Sequence, residues 1–303
     1  MTTDIGEARG GKTFWQVLTS AKYYRWLLIS PLLLTLLVFM FYPMFHSLYY
    51  SAHLVAPGKP TTFTGLENFR HAFSDPIFWQ ALGRTGYVLV ICISAELILG
   101  MAIALLLNRE FRGQNIARGL CLLPLLIMPL AMSMIWNQMF YYDQGIVNIV
   151  LRTIGLPGVS WFSTKMALYT IMLMSIWQWT PFSIFVLLAG LRGLPRDAFE
   201  AARVDGASAW YTFRRLTLPM LMPLVLIIVL LRTMWLIRLY DPLFGTTRGG
   251  VGTELLDWMI YRTSFVIFDT GYGSTLAIIS LFITIIFCAI LFRYLMKAIG
   301  AIK

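Results

Sequence analysis

The chain has 303 residues, 58% of them apolar and 13% charged, with a formal net charge of +10. Soluble domains run at about 45–50% apolar and about 25% charged, so most of this surface must face lipid rather than water. A soluble enzyme, a disordered chain and a secreted disulfide scaffold are all excluded.

In chain order, residues 1–25 hold no apolar core of signal-peptide type, so an uncleaved first helix is expected. Within them, Gly6-Glu7-Ala8-Arg9-Gly10-Gly11-Lys12-Thr13 fits the phosphate-loop pattern GxxxxGK[ST]. That loop needs a preceding strand to hold its amides and a following helix to aim them at phosphate. Too few residues precede Gly6 for such a strand, so the match is rejected as a nucleotide site. Residues 1–25 are taken as a cytoplasmic segment, and 26–303 as one membrane domain.

A helix that crosses the ~30 Å hydrocarbon core needs about 20 apolar residues. Six stretches qualify: 26–45, 85–107, 119–142, 166–191, 218–240 and 270–292. They are continuous rather than alternating, which predicts helices and not barrel strands. The second contains Glu96, and the fifth contains Arg232 and Arg238. Cys92, Cys121 and Cys288 lie in apolar runs without CxxC spacing and are read as small core hydrophobes.

Orientation follows from lysine and arginine. With the N-terminus inside, the inner segments carry fifteen of these residues and the outer segments seven. Both termini are therefore expected in the cytoplasm. The positive charge reads as topology and anionic-lipid contact, not nucleic-acid binding.

The outer loop 47–84 is rich in turn residues and aromatics, including Phe63, Phe69, Phe78 and Trp79. Partner contact and an interfacial aromatic belt both explain these rings. His46, His53 and His71 lack ligand spacing, so no metal site is expected.

The inner loop 192–218 is far longer than the 2–8 residues that usually join neighbouring helices. Asp197 is expected to cap a short helix, with Glu200 three residues later completing a capping box. Ala198, Ala201 and Ala202 favour helix, and Gly206 supplies a left-handed stop. A second short stretch, 207–216, should end before Pro219. Small side chains let another protein approach closely, so the loop reads as a docking element; a hairpin resting on the membrane is the alternative.

Glu200-Ala201-Ala202, then Gly206, then Leu216-Thr217-Leu218-Pro219 resembles the EAA loop of permease subunits of ATP-binding-cassette importers, with Leu216 in place of the usual Ile. The run Val204-Asp205-Gly206-Ala207-Ser208-Ala209-Trp210 is similar to the carbohydrate branch, the maltose and glycerol-phosphate type. Weaker similarity lies in Gly65-Leu66-Glu67-Asn68-Phe69, Trp179-Thr180-Pro181-Phe182, 248–254 and 268–272. The resemblance spans about 26–295, with a core permease region at about 85–293. It departs from the family in the fifth span, where Trp235 stands between Arg232 and Arg238 in place of an acid.

This resemblance implies an all-α integral membrane protein of the type I importer permease class, with six transmembrane helices and a cytoplasmic coupling loop. It also implies a prokaryotic inner-membrane location, import rather than export, and no catalysis or cofactor in this chain. ATP and magnesium would be bound by two partner ATPase subunits. A second permease subunit, giving a heterodimer, and an extracellular or periplasmic solute-binding protein complete the set. The coupling residues it implies are Glu200, Ala201, Ala202, Asp205 and Gly206.

Charges inside a span cost about 2.5–3.5 kcal/mol each on insertion scales, so Glu96, Arg232 and Arg238 need partners or a wet cavity. Arg232, Trp235 and Arg238 recur every three residues and are expected on one broad helix face. Donors and an indole plane suit a sugar, and two arginines could receive an anionic one. Glu96 either pairs with Arg232 across helices or sits protonated. A local pair of Arg238 with Asp241 is expected on spacing. Trp177, Gln178 and Trp179 interrupt the fourth span before Pro181, which can kink it. Asn137 lies at the outer end of the third span. It either lines a vestibule or anchors at the interface. All eight residues, Asn137, Trp177, Gln178, Trp179, Arg232, Trp235, Arg238 and Asp241, are expected along the substrate pathway. The rival reading is an ion-gradient-driven carrier, which would need an acid relay that the sequence does not show.

Overall fold

The computed structural model describes residues 21–300 apart from 56 and 59, so the phosphate-loop-like segment 6–13 lies outside the described residues. Among them the regular structure is helical except for one small hairpin. Five helices are long and apolar enough to cross a membrane, and a bent pair supplies a sixth span if it counts as one.

The first span joins α1 (Ala21–Leu36) to α2 (Tyr42–Ser51) through a wide π turn, Leu37–Phe41. That turn sits immediately before Pro43, whose ring cannot fit under an ordinary helical carbonyl. Trp26 and most apolar residues through Phe45 are exposed, as suits a helix surrounded by hydrocarbon. Only its far end, α2, packs against the last span.

There the chain turns through β1 (His53–Leu54), paired antiparallel with β2 (Thr62–Phe63), and a short helix, α3 (Glu67–Ser74). Asn68 Nδ2 donates to the carbonyls of Ser51 and His53, both at 3.0 Å, closing the end of the first span. The Gly-Leu-Glu-Asn-Phe segment therefore performs a structural task.

The second span, α4 (Pro76–Leu107), starts nine residues before the apolar run predicts. Asp75 Oδ1 accepts from the Ile77 amide at 2.8 Å, and Pro76 needs no partner in the first turn. At 1.5 Å per residue the helix is about 48 Å long, well beyond the hydrocarbon core.

The expected unbroken third span does not exist. It is α5 (Gln114–Leu126) and α6 (Pro129–Met139), bent 95° apart at Ile127 and Met128. Both junction residues are extended, and Pro129 disfavours helix at the residue before it.

A short helix, α7 (Ile146–Thr153), leads to the fourth span, α8 (Ala167–Arg192), the most buried of the set. It continues through Pro181 without a break. Gly100 lets α4 and α8 approach closely, since a Cβ there would lie 2.6 Å from Ser183 Cβ.

After α8 comes the loop helix α9 (Arg196–Val204). Next is α10 (Ala209–Thr212), then a second π turn, Phe213–Thr217, and then α11 (Leu218–Leu236). The stretch expected to end before Pro219 instead runs into the fifth span, with the wide turn again placed just ahead of the proline. The span itself stops at Leu236 rather than Tyr240.

The chain then forms α12 (Asp241–Phe244), α13 (Leu256–Tyr261) and a third π turn, Arg262–Val266, before the sixth span, α14 (Thr270–Ala298). Asp269 caps α14 by accepting from the Tyr272 amide at 3.0 Å. Gly271 is required by packing: a Cβ there would lie 2.3 Å from the His53 carbonyl. The main cores lie between α4, α8 and α11, and between α4, α13 and α14.

Candidate functional site

Two places gather the residues singled out from the sequence. The first is α9, between the fourth and fifth spans. Pro195 precedes it without a side-chain cap, so Asp197 is a first-turn residue beside the helix N-terminus, not the expected cap. A carboxylate there still favours the helix dipole.

The stop is a Schellman motif. The Ala207 amide donates to the Ala202 carbonyl at 2.9 Å and the Gly206 amide to Arg203 at 3.1 Å. Gly206 has φ +72°, which a residue with a Cβ adopts at a cost. The spacing from Ala202 to Gly206 is thus the geometry of a helix stop. No residue of α9 is buried; Glu200, Ala201, Asp205 and Gly206 are exposed and Ala202 half-buried. Glu200 forms no ion pair among the described residues. Apolar Val204 is 88% exposed and Trp210 69%, an expensive arrangement for a surface bathed in water.

The second place lies at mid-height of α4 and α8. Arg232 Nε donates to Glu96 Oε2 at 2.6 Å and Nη2 donates to Oε1 at 2.7 Å. Ser175 Oγ accepts from Nη2 at a longer 3.4 Å. This is the bidentate fork of guanidinium with carboxylate, and it binds α4, α8 and α11 together. Both side chains are buried, so of the two readings for Glu96 the structure shows the cross-helix pair. The Arg232 guanidinium lies 4.7 Å from the centre of the Trp179 ring. Trp179 meets Trp235 at 4.8 Å, and Phe182 meets Trp235 at 5.3 Å. A partly exposed aromatic surface therefore covers a buried ion pair.

Arg232 and Trp235 both meet the Trp179 ring, Arg232 buried and Trp235 39% exposed, whereas Arg238 follows the helix end and is exposed. Arg238 does not pair with Asp241, since no ion pair joins them within 4 Å. The helix that the spacing argument needs ends at Leu236, which removes the register beyond it.

The remaining expected pathway residues serve packing as well. Gln178 is buried and its Nε2 donates at 2.9 Å to the Ile127 carbonyl, which the break in the third span leaves without a helical partner. Asn137 Nδ2 donates to the Gly245 carbonyl at 3.1 Å, holding α6 to the end of α12. Trp177 turns toward Trp136, 5.5 Å between ring centres, and away from the Trp179 surface.

One group had no signal in the sequence. Asp257 on α13, outside the spans, is pushed up to about 6 by burial; Arg238 opposes the shift and Asp241 adds to it. Burial likewise raises Asp241. These three groups and the Tyr240–Trp258–Tyr261 ring cluster occupy the connection between the fifth and sixth spans.

A multi-span helical bundle with an exposed loop helix between its fourth and fifth spans is the architecture of a transporter's membrane component. The chain belongs to the family of binding-protein-dependent transport system inner membrane components, whose model matches residues 96–299. It is 33% identical over 284 residues to the trehalose/maltose transport system permease protein MalF of Thermococcus litoralis, covering 89% of this chain and 94% of that one. It is 34% identical over 273 residues to the sulfoquinovosyl glycerol transport system permease protein SmoG of Agrobacterium fabrum, covering 88% of each. Its fold matches a chain of a bacterial alginate ABC transporter crystallised with its alginate-bound periplasmic protein, with a TM-score of 0.78. That match covers 92% of this chain and 95% of the other at 18% identity, so it speaks for the fold alone.

Proposed function

We propose that the chain is one permease subunit of an ATP-driven sugar importer, forming half of a translocation pathway with a second permease. Two ATPase subunits would dock on α9, and a solute-binding protein would deliver sugar on the opposite side. Both termini would be cytoplasmic, as the charge distribution predicts. ATP and magnesium would belong to the ATPase subunits.

The observation that carries this reading is α9 itself: a stopped helix with no buried residue, an unpaired Glu200, and exposed Val204 and Trp210. Closure of an ATPase pair would push on this helix, which joins directly to the fourth and fifth spans. Coupling of this kind links two equilibria through one element. The names of the relatives support the sugar class. The Trp179–Trp235 surface supports it too, since sugar rings stack their C–H faces on indoles.

Gly206→Arg should leave membrane insertion intact and abolish both uptake and substrate-stimulated ATP hydrolysis. Normal uptake by that variant would overturn the assignment of α9 as the coupling element. An ion-gradient carrier would be revealed by uptake that survives ATP depletion.

A further inference from the structure

Resting on the reading of Trp179 and Trp235 as a sugar surface, we propose that Glu96 is a charge-selectivity residue. By neutralising Arg232 behind that surface, it makes this half of the pathway favour uncharged sugars over sugars that carry a carboxylate or sulfonate. The expectation that two free arginines could receive an anionic sugar does not survive the geometry. Both hydrogen-bonded nitrogens of Arg232 that meet Glu96 do so at 2.6 and 2.7 Å, and its guanidinium is sealed behind Trp179. Arg238 lies beyond the helix end, within electrostatic range of Asp257, and is not part of the surface that covers Arg232.

A plain structural prop would be made of apolar residues, because a buried ion pair gains little over well-packed hydrophobes of similar size. The pair does something that apolar residues cannot. The cation fixes the Trp179 ring from behind by its attraction to the π face, and Trp179 in turn supports Trp235. The carboxylate then cancels the field that this cation would project onto a sugar. In a low-dielectric span an uncancelled charge acts over several ångströms, so its sign decides which solute is welcome. Glu96 acts through Arg232 and is a positioning residue; it touches no sugar.

The test is equilibrium binding to the assembled transporter in nanodiscs, with its partner subunits present. The probes are maltose and the same disaccharide with a terminal uronic acid. Wild type should favour maltose. Glu96→Gln, which leaves Arg232 uncancelled, should shift the ratio toward the uronic acid by about tenfold or more. Arg232→Met leaves a buried carboxyl group that takes up a proton and becomes neutral, so it should keep the wild-type ratio. Glu96→Leu combined with Arg232→Met restores neutrality and should keep the wild-type ratio; it also decides the matter should either single variant fail to fold. A shift toward the uronic acid in Glu96→Gln that is absent from Arg232→Met is not a consequence of simple structural damage, which loss of either partner would cause alike.

Trp235→Ala separates the two levels of the argument by weakening both sugars together. If it does so while the pair variants leave the ratio unchanged, the selectivity role is overturned and the sugar surface stands. If Trp235→Ala changes neither sugar, the surface itself is overturned. A doubly neutral variant that gains the uronic acid also contradicts the role proposed for Glu96.

Discussion

Gln178 shows how single residues sustain the irregular parts of this bundle. Its amide replaces the helical donor that the Ile127 carbonyl loses at the break. Gln178→Leu should cost about 1–3 kcal/mol, the penalty for leaving a buried acceptor without a partner. Thermal unfolding in detergent would measure it, and an unchanged midpoint would show that the carbonyl finds another donor. Asp257 makes a pH-dependent prediction. Its pKa is raised on folding to about 6 from an ordinary value near 4. The unfolded chain then binds fewer protons across that range, so this group's contribution falls as pH rises from about 4 to 6. Asp257→Asn should remove that part of the slope and be at least as stable as wild type at pH 7; melting curves between pH 4 and 7 check it. The Glu96–Arg232 pair was legible in the sequence as an alternative, because opposite charges in apolar spans have few other ways to be satisfied. The task of Gln178 was not, since it answers a carbonyl 51 positions away that is released only by a break in another helix.

Among elements, α9 is the one whose form was best marked in advance. Alanines and a glycine stop marked the helix and its end at Gly206, but the capping role assigned to Asp197 was wrong and set its start two residues late. Left-handed φ at Gly206 makes a graded prediction. Asparagine tolerates that conformation better than other side chains, and nothing lies within 4 Å of a Cβ at this position. Gly206→Asn should therefore keep more uptake than Gly206→Ala, although its side chain is larger. The reverse order would mean that room for a partner, not backbone conformation, governs the site. The bent third span is the opposite case. A window of about 20 apolar residues registers hydrophobicity and not continuity, so Pro129 and its effect on Met128 went unread. Two of the three π turns escaped because each lies just before a proline next to an apolar run, where composition changes little and only backbone geometry changes.

At the scale of the whole molecule, composition alone settled that lipid is the main solvent. The exposed first span and the apolar outer faces of the other helices agree with that. What composition could not reach is the internal wiring, because hydrogen bonds and ion pairs between spans depend on which helices become neighbours. The buried ion pair and the aromatic surface lie where α4, α8 and α11 meet, and α9 lies in the connection between α8 and α11. The central claim is that α9 docks an ATPase. The most direct test is gentle extraction of the tagged chain from its native membrane, with co-purifying subunits identified by mass spectrometry. Wild type and the Glu200→Ala/Gly206→Arg variant would be compared side by side. The account predicts an ATPase and a second permease with the wild type, and loss of the ATPase with retention of the second permease in the variant. Wild-type chain that comes out alone or self-associated, or a variant that keeps its ATPase in full, would contradict it.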